Sequence, residues 1–144
     1  MSNIPNTFYR ATIKAVIRDK SNKVLVVKEA SDFIDLPGGG IDHGESLERA
    51  MARELAEEIG YHDTFTMDLI GVEVLERRDG NGYVLFVVYD VQLQTPYTPT
   101  IGIDSTEVLF VDPYKYSDQT DRSLQMIYKY GTGNLTARID YRMR

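Results

Sequence analysis

The chain has 144 residues, a formal net charge of −6 at pH 7 and no cysteine. Its length predicts one domain over residues 1–144, and a content of 42% hydrophobic and 26% charged residues excludes wholesale disorder. The lack of cysteine excludes a disulfide scaffold and a thiolate zinc site, and the acidic balance disfavours stable binding to nucleic acid.

Local patterns in the first third of the chain predict two strands and a break. Residues 9–18 and 23–27 are rich in β-branched side chains, and Ser21-Asn22 supplies a turn between these two predicted strands. The run Pro37-Gly38-Gly39-Gly40 then predicts an interruption of regular structure.

Residues 47–59 have the clearest helical pattern. Ser46 is a suitable N-cap, Glu48 lies in the first turn, and Gly60 is placed to end the helix. At about 100° per residue, an apolar side is predicted to face the core, and an opposing side collects carboxylates. The apolar side is formed by Met51, Ala52, Leu55 and Ile59, and the acidic side by Glu54, Glu57 and Glu58.

Two long β-prone runs follow the helix. Residues 66–76 and 83–94 flank Asp79-Gly80-Asn81-Gly82, which is a strong signal for a β-hairpin. A loop is predicted over residues 96–105, where two prolines occur, and a short strand over residues 107–112.

The last part of the chain predicts a second helix and a strand. The helix is expected to begin at Ser117 or Asp118 and to run to about residue 130, with Leu124, Ile127 and Tyr128 facing inward. Residues 135–143 alternate between apolar and polar side chains, so we expect a strand that pairs with a sheet edge or with a second subunit in a homodimer. This order of elements predicts an α/β fold with helices packed on a mixed sheet.

The acidic segment 38–60 admits three interpretations. The spacing Gly39-x4-Gly44-Glu45-Ser46 matches a phosphate-binding loop, but that loop needs a lysine where Glu45 stands, so charge excludes it. A solvated helix surface is the second interpretation and is what most glutamate-rich helix faces are. The third is a divalent-metal site, since carboxylates at i, i+3 and i+4 converge and hard cations prefer oxygen ligands.

One motif decides between these interpretations. Residues Gly39-x5-Glu45-x7-Arg53-Glu54-Leu55-x-Glu57-Glu58-x-Gly60 resemble the Nudix box, G-x5-E-x7-R-E-U-x-E-E-x-G-U, through its glycine. A chance match is on the order of one in ten million at ordinary residue frequencies. The preceding Leu36-Pro37-Gly38-Gly39 is similar to the usual lead-in of the family, and Tyr61 departs from it, since the family prefers an aliphatic residue there.

The resemblance implies a fold, a reaction and a set of site residues. The fold is a Nudix-type α/β/α sandwich with a mixed β-sheet, and the activity is hydrolysis of a nucleoside diphosphate linked to another group, with Mg²⁺ or Mn²⁺. Glu57 and Glu58 are implied as the principal metal ligands, and Glu54 as a third ligand or the base. The implied metal set is Gly38, Glu54, Glu57 and Glu58, and the implied catalytic set is Glu45, Arg53, Glu54 and Glu57.

Two interpretations stay open for each of several residues. Asp104 or Glu107 is either an additional acid of the site or a solvated loop residue, and Arg77 and Arg78 either contact phosphate or solubilise the hairpin. A core position is favoured for Phe33 over stacking on a base, and no role is assigned to the two histidines, His43 and His62.

The resemblance leaves the substrate open. Family markers for ADP-ribose and diadenosine polyphosphates are absent downstream of the box, so a nucleoside triphosphate or another small nucleotide anhydride is favoured by elimination. A Nudix-fold binding or regulatory module without turnover is the alternative, although such modules commonly lose the box glutamates. We find no secretory signal and no membrane-spanning stretch, so we expect a cytoplasmic protein without membrane partners.

Overall fold

A computed structural model of the chain describes residues 9–29 and 33–140. Within those ranges the chain forms seven strands, two α-helices and one short 3-10 helix. In chain order they are β1 Tyr9–Val16, β2 Val24–Lys28, β3 Ile34–Asp35, β4 Gly38–Gly40, α1 Leu47–Ile59, β5 Phe65–Glu76, β6 Tyr83–Leu93, β7 Glu107–Val111, the 3-10 helix Pro113–Tyr116, and α2 Arg122–Thr132.

The strands form two sheets. The first has the order β4-β1-β6-β5 and is mixed, because β1 runs parallel to β6 while the other pairs are antiparallel. The second is antiparallel, with the order β3-β2-β7. The mixed sheet and the hairpin between β5 and β6 confirm the sequence prediction. No helix in the described ranges is long and apolar enough to span a bilayer.

Two apolar cores lie on opposite sides of the strands. Ile13 of β1 belongs to the cluster that contains Leu55 of α1. Val16 of the same strand belongs to the cluster that contains Ile127 of α2. Because side chains alternate along a strand, β1 contributes to both clusters and separates the two helices. The result is the predicted helix–sheet–helix layering.

Helix α1 has the bounds that its capping residues predict. The Ser46 hydroxyl accepts a hydrogen bond from the backbone N–H of Arg49 at 3.2 Å. Gly60 ends the helix with φ of 65°, a left-handed conformation that glycine adopts without steric cost. Of the four residues predicted on the apolar side, Ala52 is exposed, because it lies at the margin of the buried arc, and the other three are buried.

The glycine run does not interrupt regular structure as predicted. Gly38–Gly40 forms β4, which pairs antiparallel with β1 through Gly38 opposite Lys14 and Gly40 opposite Thr12. Glycine has low intrinsic strand propensity, so local sequence gives no sign of this strand. The pairing is imposed by β1.

The second helix begins later than predicted. Its N-cap is Asp121, whose carboxylate accepts hydrogen bonds from the N–H groups of Ser123 and Leu124. The 3-10 helix Pro113–Tyr116 precedes α2 in the chain. Ile127 is buried as predicted, but Leu124 and Tyr128 are only partly buried, and Met126 and Tyr130 fill the core in their place.

The tail does not form a strand in the part that the structure describes. Residues 135–140 form a turn followed by irregular chain, so the strand prediction is wrong for them, and residues 141–143 lie outside the described ranges. Ile139 packs into the cluster around α2, and Gln125 Oε1 accepts a hydrogen bond from the Asp140 N–H at 2.9 Å. Contact with α2 competes with strand pairing for this segment.

Candidate active site

The carboxylates of α1 lie against the backbone of β4. Glu58 Oε1 accepts a hydrogen bond from the N–H of Gly38. A Cβ built on Gly39 lies 2.5 Å from Glu54 Oε1, so any side chain at position 39 forces Glu54 away. Glycine at position 39 therefore lets Glu54 approach the strand directly, and Glu58 reaches the strand through the Gly38 N–H.

Burial sets the electrostatics of these two groups. Glu54 is 7% exposed and Glu58 is 2% exposed. Burial raises the pKa of both carboxyls, to about 8 for Glu58, although Lys14 and the Gly38 N–H act on Glu58 in the opposite direction. A solvated helix surface is therefore wrong for them. Glu58 lies only about 20° from Met51 around the helix at 100° per residue, so the predicted separation into apolar and acidic sides also fails.

Arg53 joins the loop, the strand and the helix. Its Nε and Nη2 donate to Glu45 Oε2 and Oε1 at 2.7 and 2.9 Å. Its Nη1 donates to Glu54 Oε1 at 2.9 Å and to Glu57 Oε2 at 3.3 Å, and its Nη2 also donates to the carbonyl of Gly40. Hydrogen bonding to Arg53 holds the pKa of Glu45 at about 2. The structure thus brings the implied catalytic set together around one guanidinium.

Lys14 is a buried cation that sequence analysis missed. Its Nζ donates to Asp35 Oδ2 at 2.9 Å and to the carbonyl of Leu36 at 3.2 Å. Burial lowers the pKa of Lys14, but the charges of Asp35 and Glu58 outweigh burial, so the pKa is raised overall. The available signal was a lysine between the apolar residues Ile13 and Ala15 of β1. Glu29 was missed as well, and it lines the same cavity as Glu58.

A cavity of about 220 Å³ opens beside Glu58. Its wall includes Phe33, which is 54% exposed, so the favoured core position for Phe33 is wrong. The Arg78 guanidinium lies 5.0 Å from the centre of the Phe33 ring and donates to Ser123 Oγ at 3.0 Å. Arg77 instead pairs with Asp79 at 2.7 Å within the hairpin. Charged side chains that line the cavity are Lys14, Glu29, Asp35, Glu58 and Arg78.

The remaining candidate residues contribute less to the site. The N–H of Asp104 donates to the carbonyl of Glu57 at 3.0 Å, while its side chain is exposed. Glu107 is exposed on β7, and His43 and His62 are exposed as well. Asp104 therefore contacts α1 through its main chain.

The residues implied as metal ligands have suitable chemistry. In the ranges 9–29 and 33–140, no three His, Asp or Glu side chains are arranged around one point as they stand. Arg53 Nη1 contacts two of the carboxylates, those of Glu54 and Glu57. All the donors are oxygens, and burial disfavours charge on Glu54 and Glu58 unless a cation compensates it. The donor set fits a hard divalent cation in type.

Comparisons with known proteins find matches to the sequence and to the fold. A family model described as the NUDIX domain matches residues 8–125. Among solved structures, the chain is similar to the MutT protein from Methanosarcina mazei Go1, at 20% identity, with 92% of this chain and 99% of that chain covered and a TM-score of 0.72. It is also similar to the NUDIX domain of Shewanella oneidensis NrtR complexed with ADP ribose, at 23% identity, 90% coverage of both chains and a TM-score of 0.68. These likenesses show the fold.

A curated relative covers the same region. The ADP-ribose pyrophosphatase of Methanocaldococcus jannaschii is 35% identical over 77 residues, which are 51% of this chain and 45% of that protein. The chain therefore matches less than half the length of this relative.

Proposed function

The chain belongs to the NUDIX domain family, and we propose that it is a divalent-metal-dependent hydrolase of nucleotide anhydrides, in which water attacks a phosphoanhydride bond. Family members generally use divalent metal ions, and Mg²⁺ or Mn²⁺ is the ion proposed here. The observation that carries the proposal is the intact set of box carboxylates, two of them buried against β4 with raised pKa values.

The charged residues of the box and the neighbouring Gly38 have proposed roles. The carboxylates of Glu54, Glu57 and Glu58 and the carbonyl of Gly38 would hold the metal, which would neutralise phosphate charge and lower the pKa of the attacking water. Glu54 is a metal ligand or the group that accepts the proton of the water, and burial raises its pKa.

Arg53 and Glu45 orient the carboxylates. Two hydrogen bonds between Arg53 and Glu45 fix the guanidinium, which in turn donates a hydrogen bond to Glu54 Oε1. Such positioning matters because phosphoryl transfer depends mainly on geometry and electrostatic stabilisation. The cavity beside Glu58 accommodates part of the substrate, and Lys14 and Arg78 are the cations that line it.

The proposed substrate class is a small nucleotide anhydride. A nucleoside triphosphate is favoured by the absence of other subfamily markers, and ADP-ribose enters the panel because a curated relative is named for it. Three properties remain predictions from the sequence: a single domain over residues 1–144, a cytoplasmic location and a homodimer. Analytical ultracentrifugation tests the homodimer.

A nucleotide panel tests the proposed function. Nucleoside triphosphates, ADP-ribose and diadenosine polyphosphates are incubated with Mg²⁺ or Mn²⁺, and released phosphate, pyrophosphate or nucleotide is measured. We expect turnover of at least one compound, loss of it in Glu57→Gln, and no change in Glu48→Gln, because Glu48 is exposed in the first turn of the same helix. Binding without turnover across the panel would favour the binding-module alternative.

A further inference from the structure

The last turn of α1 is completed by a distant loop. A helix end leaves its final carbonyls without intrahelical partners. Here the N–H of Asp104 donates to the carbonyl of Glu57 at 3.0 Å, and the N–H of Gly102 donates to the carbonyl of Glu58 at 3.2 Å. The Tyr97 hydroxyl donates to the carbonyl of Ile59 at 2.8 Å. The loop therefore binds the backbone of the residues whose carboxylates form the site.

Ser105 is the side chain that holds this contact together. It is buried, at 8% exposure. Its hydroxyl donates to the carbonyl of Glu58 at 2.6 Å and accepts from the N–H of Gly102 at 3.0 Å. One hydroxyl thus closes the turn and binds the helix. A buried carbonyl that loses such a donor carries a desolvation penalty, so the contact resists opening.

Gly102 allows the loop to approach this closely. A Cβ built at position 102 lies 2.1 Å from the carbonyl oxygen of Glu57, which is helix backbone and has no freedom to move aside. Any larger residue must displace the loop from the helix. Close approach, and not a special backbone angle, is what requires glycine here.

The loop is also anchored to the sheet beside Glu58. The N–H of Thr106 donates to the carbonyl of Lys28 at 2.7 Å, and its hydroxyl donates to the carbonyl of Glu29 at 3.0 Å. Glu29 lines the same cavity as Glu58. The loop therefore connects the end of β2 to the last turn of α1.

We propose that residues 102–105 position the metal-binding carboxylates of Glu57 and Glu58, with Ser105 as the positioning residue. The proposal rests on the proposed function. The hydrogen bonds fix the backbone of two consecutive residues, and backbone position sets the direction of each Cα–Cβ bond. Groups that orient metal ligands typically change metal affinity by about 10–100-fold when they are removed.

Binding of Mn²⁺ alone tests the proposal without any substrate. Free Mn²⁺ is measured by electron paramagnetic resonance during titration of wild type, Ser105→Ala and Ser105→Thr, at a temperature well below melting. We expect about 10-fold weaker Mn²⁺ binding in Ser105→Ala and near wild-type binding in Ser105→Thr, which keeps the hydroxyl. Gly102→Ala is a second variant, with a loss at least as large.

A matched control separates positioning from stability. Thr100→Val removes a hydroxyl of the same loop. That hydroxyl donates to the carbonyl of Thr98 and not to α1. It is expected to bind Mn²⁺ as wild type does, even where its melting temperature falls with that of Ser105→Ala. Equal Mn²⁺ affinity in wild type, Ser105→Ala and Gly102→Ala overturns the proposal, as does equal loss in Ser105→Ala and Ser105→Thr. Failure of the wild type to bind Mn²⁺ overturns the proposed function as well.

Discussion

The guanidinium of Arg53 holds the carboxylate of Glu45 by two parallel hydrogen bonds, Nε to Oε2 at 2.7 Å and Nη2 to Oε1 at 2.9 Å. A planar guanidinium makes this paired contact, and a lysine ammonium cannot reproduce it. The remaining nitrogen, Nη1, is thereby aimed at Glu54 and Glu57. One residue outside the proposed ligand set thus contacts two residues inside it.

Arg53→Lys is expected to keep the charge and lose the orientation. We expect kcat to fall by roughly 100-fold, since a misplacement of about 1 Å costs that much in a positioned site. Steady-state kinetics on the best substrate of the panel measure it. Arg49→Lys is the control, because Arg49 is exposed on the same helix and should keep wild-type kinetics. Equal kcat in both variants would contradict the positioning role of Arg53.

Glu45 is expected to make the fold sensitive to acid. In the folded protein its pKa is held at about 2, against 4.5 for the ordinary group. Because the folded pKa is lower, its contribution to the free energy of unfolding is present above pH 4.5 and is lost as pH falls toward 2. Urea denaturation at about pH 5 and about pH 3 should show a larger loss of unfolding free energy in wild type than in Glu45→Gln. Parallel losses in the two proteins would refute this.

Glu58→Gln is expected to separate metal binding from folding. The amide oxygen can still accept from the Gly38 N–H, and the variant no longer buries an ionisable carboxyl, so in EDTA it should melt no lower than wild type. Mg²⁺ at about 100 times its dissociation constant stabilises a binding protein by about 2.7 kcal/mol. For a domain of this size, that is about 5–10 °C in melting temperature.

Melting temperatures in EDTA and in Mg²⁺ measure the stability of the metal-free protein and its stabilisation by the metal. Wild type should show the metal-induced shift, and Glu58→Gln should lose most of it. Glu48→Gln is the control and should keep it, because this exposed glutamate is outside the site. A Glu58→Gln protein that melts several degrees lower in EDTA would instead assign Glu58 a structural role.

Tyr130 links α2 to the edge strand β5 and tests the fold away from the site. Its ring is buried, and its hydroxyl donates to Glu73, which also accepts from Lys129 at 2.8 Å. Tyr130→Phe is expected to lower the free energy of unfolding by about 1–2 kcal/mol and to leave kcat unchanged. Tyr128→Phe is the control, since its hydroxyl makes an exposed contact with Asn134. Chemical denaturation that shows no difference between the two variants would contradict this.

Local signals predicted the helix that carries the site. Ser46 and Gly60 act on their own turns, so the bounds of α1 follow from sequence alone. The box residues were also identified, because their spacing resembles a family pattern. Strands β1, β2, β5 and β6 lie within two residues of their predicted ends, since alternation and turn residues are local as well.

Features that depend on distant partners were not predictable. Nothing in Gly38–Gly40 indicates a strand until β1 is placed beside it. The burial of Glu54 and Glu58 is different, because a helical projection already places both near Met51, and the sequence analysis overlooked it. Ser105 lies far from α1 in sequence, so its bond to the carbonyl of Glu58 emerges only in the folded chain.

Hydrolysis in ¹⁸O-labelled water tests the central claim most directly. The substrate identified by the panel is turned over with Mg²⁺, and the products are analysed by mass spectrometry. We predict that each turnover places one ¹⁸O atom on a phosphate group of one product, and that EDTA abolishes product formation. Products without ¹⁸O, or equal product formation in EDTA, would contradict metal-dependent attack of water on a phosphoanhydride.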